Sequence, residues 1–481
     1  MTYTSVPASR HVSVAGWAPG AIRRRLAGAG IAVVVGLAAV AVGVATAKGT
    51  SPQLVVAVLL TLFVLSLGSR RATLLAVVLL APTLALLRRL LSGAEGHIDL
   101  DPLVLVPLVL AATVLAAPSA TRRRRRTQSV RLLVGMALAF IGGTLVVSGD
   151  ASATAGFAAT SLAVPLLLVE AIASGRVPDV WRRVTALLPG LGLVAGAYGV
   201  VQFLLLPGWD RRWVIASGLE SIGQARPLAI RVFGGSESPG PYAMFLGLVT
   251  VLALARVVTE RRPGVRARWF ALVALLAAPL VLSGVRATLV AIAASAVVLA
   301  VVRGRGSGRI VPVVTLALFV GVLARLLPAL QGTSTIITAS RYSNFGADDS
   351  LNSRVDLYAT VLDPLGHLVG TPSRHADGLI PNVILGFGYP CGVVFAVLLV
   401  LVSVRAVQNL RARRAESAAI ASLFFVVHSF AGNPFSSAVG LVGALAIGST
   451  LHAAAAAGAA AATAAPSEPE PVAPPEPRPR R

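Results

Sequence analysis

The chain has 481 residues, is 56% hydrophobic and only 13% charged, and has a mean hydropathy of +0.81. So few charges cannot cover the surface of a soluble domain of this length, which excludes a water-soluble globular protein. The net charge of +23 sits in short arginine clusters between apolar runs, not on a basic stripe with interleaved aromatics, so a nucleic-acid-binding surface is excluded too.

Residues 1–27 carry Arg23, Arg24 and Arg25 and read as a cytoplasmic N-terminus. The following apolar run and Ala45-Thr46-Ala47 look like a secretory signal. At about 20 residues, however, the run exceeds the ~7–15 of such signals and reads as an uncleaved first span. Runs long enough to cross the ~30 Å hydrocarbon core as helices fall near 28–46, 53–68, 72–88, 101–117, 132–148, 154–172, 184–206, 239–257, 268–284, 286–302, 310–328, 378–404, 417–431 and 435–453. The expected architecture is an all-α, polytopic transmembrane helical bundle of about 12–14 spans over residues 28–453. Two long external loops, 207–238 and 329–377, interrupt it. The segment 454–481, rich in Ala and Pro, reads as a disordered cytoplasmic tail.

Arginine placement tests this order. With the N-terminus inside, the cytoplasmic segments hold 30 of the 42 basic residues, including the clusters at 121–131, 256–268 and 405–414. The expected location is therefore the cytoplasmic membrane, with multiple passes, both termini inside, and lipid as a constant partner.

Several chemistries lack their residues. The only lysine reads Lys48-Gly49-Thr50, so no phosphate-binding P-loop is present. Glu170, the only candidate for an acid at mid-membrane, lies near the inner end of its span and reads as snorkelling to the interface. His367 and His375, with Asp363 and Asp377, match no strong metal-ligand spacing and read as solvated loop residues. The single Cys391 cannot form an intramolecular disulfide.

The external side instead collects arginines against the positive-inside trend. Arg211, Arg212, Arg226 and Arg231 precede the eighth span, and Arg341, Arg354 and Arg374 lie in the large loop. Arg286 is the only charge between Trp269 and Val302, and the alternation puts it at the outer turn of a tight helical hairpin. Each alone has an ordinary explanation, a headgroup contact or an ion pair with Asp210, Glu220, Asp348 or Asp356. As a set they suit an anionic ligand such as a diphosphate, which guanidinium forks bind bidentately. In the stretch RVFGGSESPGPYAMFLG (231–247), Gly234 and Gly235 allow close backbone approach to a ligand, with Glu237 in the same loop. Pro239 and Pro241 then open a helix.

These residues resemble the O-antigen ligase and Wzy-type polysaccharide polymerase superfamily, in four segments over roughly 190–405. The first is Arg231-Val-Phe-Gly234 through Pro239-Gly-Pro241, and the second the turn Ser283-Gly-Val-Arg286-Ala287. The third is NSRVDLYATVLDPLGHLVGTP, with Arg354, Pro364, Leu365 and Gly370, and the fourth is HADGLIPNVILGFGYPCG. The family's His-Asn pair does not occur. By spacing to Gly388, Asp377 stands where the histidine would, and His375 is two residues early.

The resemblance implies a metal-independent, cofactor-free membrane glycosyltransferase that polymerises or ligates undecaprenyl-diphosphate-linked glycans on the outer face of the membrane. It implies a lipid-linked oligosaccharide donor, a glycan acceptor and partners in polysaccharide assembly. Arg231, Arg286 and Arg354 would hold the diphosphate. His375 or Asp377 would be the base, His375 suiting neutral pH by its unperturbed pKa near ~6.5. A permease or flippase for an anionic lipid-linked glycan is the alternative, and it would line a transmembrane path with arginines. Reporter fusions after residues 235 and 350 are expected to report an external location; cytoplasmic signals at both would overturn the assigned sidedness.

Overall fold

A computed structural model describes residues 52–92, 101–116, 128–149, 152–177, 179–219, 222–303, 321, 356–361, 366–372, 374, 376 and 378–464. Among them the protein is all-helical, apart from one isolated antiparallel bridge between Gly223 and Ile230. Among the described residues eight helices are long and apolar enough to cross a membrane, or nine counting one bent pair. The protein is an all-α polytopic bundle. Each expected span from 53–68 onward has its helix, except 310–328, which lies outside the described residues together with 28–46.

The order begins with α1 (Pro52–Ser66), α2 (Arg70–Leu80), α3 (Leu84–Leu91), a 3-10 turn (Pro102–Leu105) and α4 (Val106–Ala116). It continues with α5 (Gln128–Ser148), α6 (Ala153–Ala173), α7 (Val180–Leu205), the short α8 (Gly208–Ser217), α9 (Pro239–Thr259), α10 (Pro263–Leu282) and α11 (Arg286–Arg303). After the second long connection come α12 (Leu379–Phe387), α13 (Tyr389–Arg411), α14 (Glu416–Ser429), a 3-10 turn (Pro434–Ser436) and α15 (Ala438–Ala464).

The central post is α9, whose apolar window is 83% buried, packed by α7, α10, α11 and α14. Lipid offers apolar helices no hydrophobic reason to associate, so close backbone approach must supply the contact. On α7, Gly192 and Gly199 provide it: a Cβ there would lie 2.8 Å from Val249 and 2.0 Å from the Tyr242 hydroxyl. Gly247 of α9 does the same toward Thr288 of α11 and Phe424 of α14.

The connections sort to two ends as the arginine alternation requires. At one end, the site end, Arg88 meets Glu237, Arg231 meets Ser283, and Tyr358 meets Phe430. At the opposite end Arg176 pairs with Glu170, Arg303 with Glu416, and Trp181 donates to Ser417. Glu170 does not snorkel. It is 6% exposed and held by Arg131 and Arg176, both at 3.1 Å, because a carboxylate at that depth needs a counter-charge.

Three local features depart from the uniform spans expected. The run 72–88 breaks between α2 and α3 with a bend of 65°. Pro82 lacks an N–H, and the Leu86 N–H, which a continuous helix would direct to Pro82, donates to the Gly235 carbonyl at 3.1 Å. The run 378–404 breaks at Gly388 (φ 89°). The last helix continues to Ala464, since an alanine run is the best intrinsic helix former.

At the break, Gly235 lies so close to Pro82 that a Cβ would sit 2.0 Å from its carbonyl oxygen. Gly235→Ala is therefore expected to destabilise the folded protein by about 1–3 kcal/mol or more, read as a lowered thermal unfolding midpoint in detergent. An unchanged midpoint would contradict this packing.

Candidate functional site

The glycine-rich loop 231–238 is the hub of the site end, and residues 231–236 are buried. Its backbone is held from two directions. From α3, Arg89 donates through Nη1 to the Ser236 carbonyl at 2.7 Å and through Nη2 to the Gly234 carbonyl. From α7, the Gln202 Oε1 accepts the N–H groups of Phe233 (2.9 Å) and Gly234 (2.8 Å).

Arg89 and Gln202 are joined by Asp210 of α8. Arg89 Nε lies 2.9 Å from Asp210 Oδ1, and both side chains are fully buried. The other carboxylate oxygen accepts from Gln202 Nε2 and from the Tyr198 hydroxyl, each at 2.8 Å. Trp209 Nε1 in turn donates to that hydroxyl at 2.8 Å. Burial pushes the Asp210 carboxyl above its ordinary pKa, while Arg89, Gln202 and Tyr198 oppose the shift, in that order. Asp210 opens α8, where the helix dipole also favours an anion. Asp210 was expected to pair with a loop arginine; its partner is Arg89, at the end of the third expected span.

Arg88 faces the other way. It binds Asp101 at 2.7 Å and Glu237 at 2.6 Å, and its guanidinium carbon lies 5.3 Å from the Trp213 ring centre. At Gly234 and Gly235 the close approach is made by the chain itself. A Cβ on Gly234 (φ 49°) would meet the Tyr242 ring at 2.3 Å.

The start of the loop reaches the turn that carries Arg286. Arg231, 7% exposed, donates through Nε to the Ser283 carbonyl (2.9 Å) and through Nη2 to that of Gly284 (3.3 Å). Val232 N–H donates to Leu282 at 3.1 Å. These carbonyls end α10, where a cation is favoured and acceptors otherwise lack partners. Gly284 (φ 64°) makes the turn, and Arg286 is the first residue of α11 and half-buried.

One turn into α11, the Thr288 hydroxyl lies 3.2 Å from Nε2 of His428 on α14. His428 is 5% exposed and packs against Phe424, and Gly432 leaves the space its ring occupies. Just past it, the Phe430 carbonyl accepts from the Tyr358 hydroxyl at 2.7 Å. Residues 366–371 and 385–389 are zipped together: Thr371 N–H donates to Leu385 and Tyr389 N–H to His367, both at 2.7 Å. His375, Asp377 and Arg354 lie outside the described residues. Ala376, between the first two, donates its N–H to the Asn382 side chain at 3.1 Å.

Comparison with protein families gives one match, to a domain of unknown function, DUF4401, over residues 29–323. The chain belongs to that family. No curated protein matches it. The DUF4401 region contains α1 to α11, and with them the Arg88–Arg89 pair, Asp210, the glycine-rich loop and the Arg286 turn. His428, Asn382 and the zipped segments lie beyond it, so the site end is completed by residues outside the matched span of chain.

Sequence reasoning missed Arg88, Arg89, Gln202 and His428. The signals were faint: two arginines closing an apolar run, and one glutamine and one histidine inside spans. Removing one partner of the buried pair leaves the other uncompensated. Asp210→Leu or Arg89→Met alone is expected to destabilise by about 3–5 kcal/mol, and the double variant by much less. Thermal unfolding in detergent measures this, and equal losses in single and double variants would refute the coupling.

Proposed function

We propose that the protein is a membrane glycosyltransferase that polymerises or ligates undecaprenyl-diphosphate-linked glycans at the outer face of the cytoplasmic membrane, with both termini inside. The observation that carries this reading is the docking of Arg231 on the turn that carries Arg286. Two of the four segments resembling the O-antigen ligase and Wzy-type superfamily meet there; Tyr358 of the third binds the Phe430 carbonyl, and the third is zipped to the fourth.

The electrostatics suit an anion. Arg286 stands at the N-terminus of α11, where the helix already presents positive potential, and Arg231 lies against the same turn. In the proposed step an acceptor hydroxyl attacks the anomeric carbon of the donor, and the bond from that carbon to the lipid diphosphate breaks. Negative charge grows on the diphosphate as it leaves, and preorganised guanidinium groups stabilise it. The hydroxyl proton passes to His375 or Asp377. The permease alternative gains no support: among the described residues the charged side chains stand near helix ends or in connections, not along a path through the bundle.

Arg286→Ala is expected to lower glycan assembly about a hundredfold or more while the protein still inserts normally. Arg286→Lys should fall between, because an ammonium keeps the charge but not the fork. Surface-glycan analysis of a strain carrying each variant measures both, and full assembly in Arg286→Ala would sink the diphosphate role.

A further inference from the structure

Beside Glu237, towards the end of the glycine-rich loop, the site end opens a crevice of about 30 Å³. Its walls are apolar, with Leu84, Pro107, Phe157, Phe435 and Leu441 drawn from α3, α4, α6, the last 3-10 turn and α15. Three oxygen-bearing side chains line it, and one of them, Ser161, already donates its hydroxyl to the Ala158 carbonyl at 2.8 Å. Glu237 is 43% exposed at the side chain; its Oε1 is bound to Arg88, and among the described residues no contact engages Oε2. The Ser437 hydroxyl is buried without a hydrogen-bond partner among the described residues. A buried hydroxyl left unpaired costs about 1–3 kcal/mol, which a ligand hydroxyl at this position recovers.

We infer that this crevice binds a neutral sugar through its hydroxyl groups, with Glu237 and Ser437 as the polar contacts. Other ligand classes fit poorly. Arg88, Asp101 and Glu237 together carry one net negative charge, and Arg88 is already engaged by both carboxylates, which repels a phosphate. A hard cation needs roughly six or more oxygen ligands, and among the described residues no three acidic, histidine or cysteine side chains come together. The volume admits one or two hydroxyl-sized groups, so an edge of the sugar enters the crevice and the rest of the ring lies over its mouth. A sugar edge supplies hydroxyls for the carboxylate and the serine, and its C–H faces suit Phe157 and Phe435. That the sugar is the glycan acceptor rests on the proposed transferase reading; the binding itself does not.

Trp213 is a built-in reporter, since it lies under Arg88 and its Nε1 is 3.4 Å from the Glu237 carbonyl. The full chain in lipid nanodiscs is titrated with glucose, galactose and mannose, and separately with calcium chloride and inorganic diphosphate. At least one hexose should give a saturable fluorescence change that disappears in Trp213→Phe. Glu237→Ala should weaken it by about tenfold or more, the loss of one hydrogen bond to a charged group. Ser437→Ala removes a single oxygen and should weaken it severalfold, which keeps the test decisive if the Glu237 variant does not fold. No hexose response, or a response to calcium or diphosphate alone, overturns the inference. Arg286→Ala should leave the hexose titration unchanged. Hexose binding that persists in a protein shown to make no glycan would retain the crevice and refute only the transferase reading.

Discussion

Arg89 and Asp210 form a fully buried ion pair between two segments that are far apart in the chain. Each charge would be prohibitive alone in that environment, and each is made tolerable by the other plus neutral donors and acceptors. Asp210 is surrounded by Tyr198 and Gln202, while the remaining donors of Arg89 go to the carbonyls of the glycine-rich loop. The loop therefore has one conformation, fixed by groups that cannot be withdrawn without leaving a charge unpaired.

From that fixed loop the rest of the site end follows. Its first residue, Arg231, caps α10 and holds the Arg286 turn; its later residue Glu237 meets Arg88 and opens on the apolar crevice. One short segment thus separates a positive side from a weakly negative one. In the proposed transferase reading, the positive side meets the anionic donor and the weakly negative side the neutral acceptor.

Much of this was legible in the chain. The spans, the sharing of ends and the turn at Ser283–Arg286 follow from apolar run length and arginine placement, since both report directly on the solvent around each segment. The glycines mark where local pattern stops being informative. Gly234 and Gly235 announce a close approach, but not what approaches, and here it is the Tyr242 ring and the Pro82 carbonyl. The break at Pro82 was hidden because the apolar run continues through it. His428 gave no signal because a lone histidine in a span reads like any other packed ring.

By itself the sequence determined an all-helical membrane bundle, the grouping of its connections at two ends, and a concentration of arginines at one of them. Those are consequences of transfer free energy, which each segment feels locally. Only the tertiary structure decided which charges are consumed in holding the fold and which stand at an opening. Arg88 reaches Glu237 across 149 positions of chain, and Arg89 reaches Gly234 across 145. Such pairings depend on how the helices close around α9, and no local pattern in the chain encodes them.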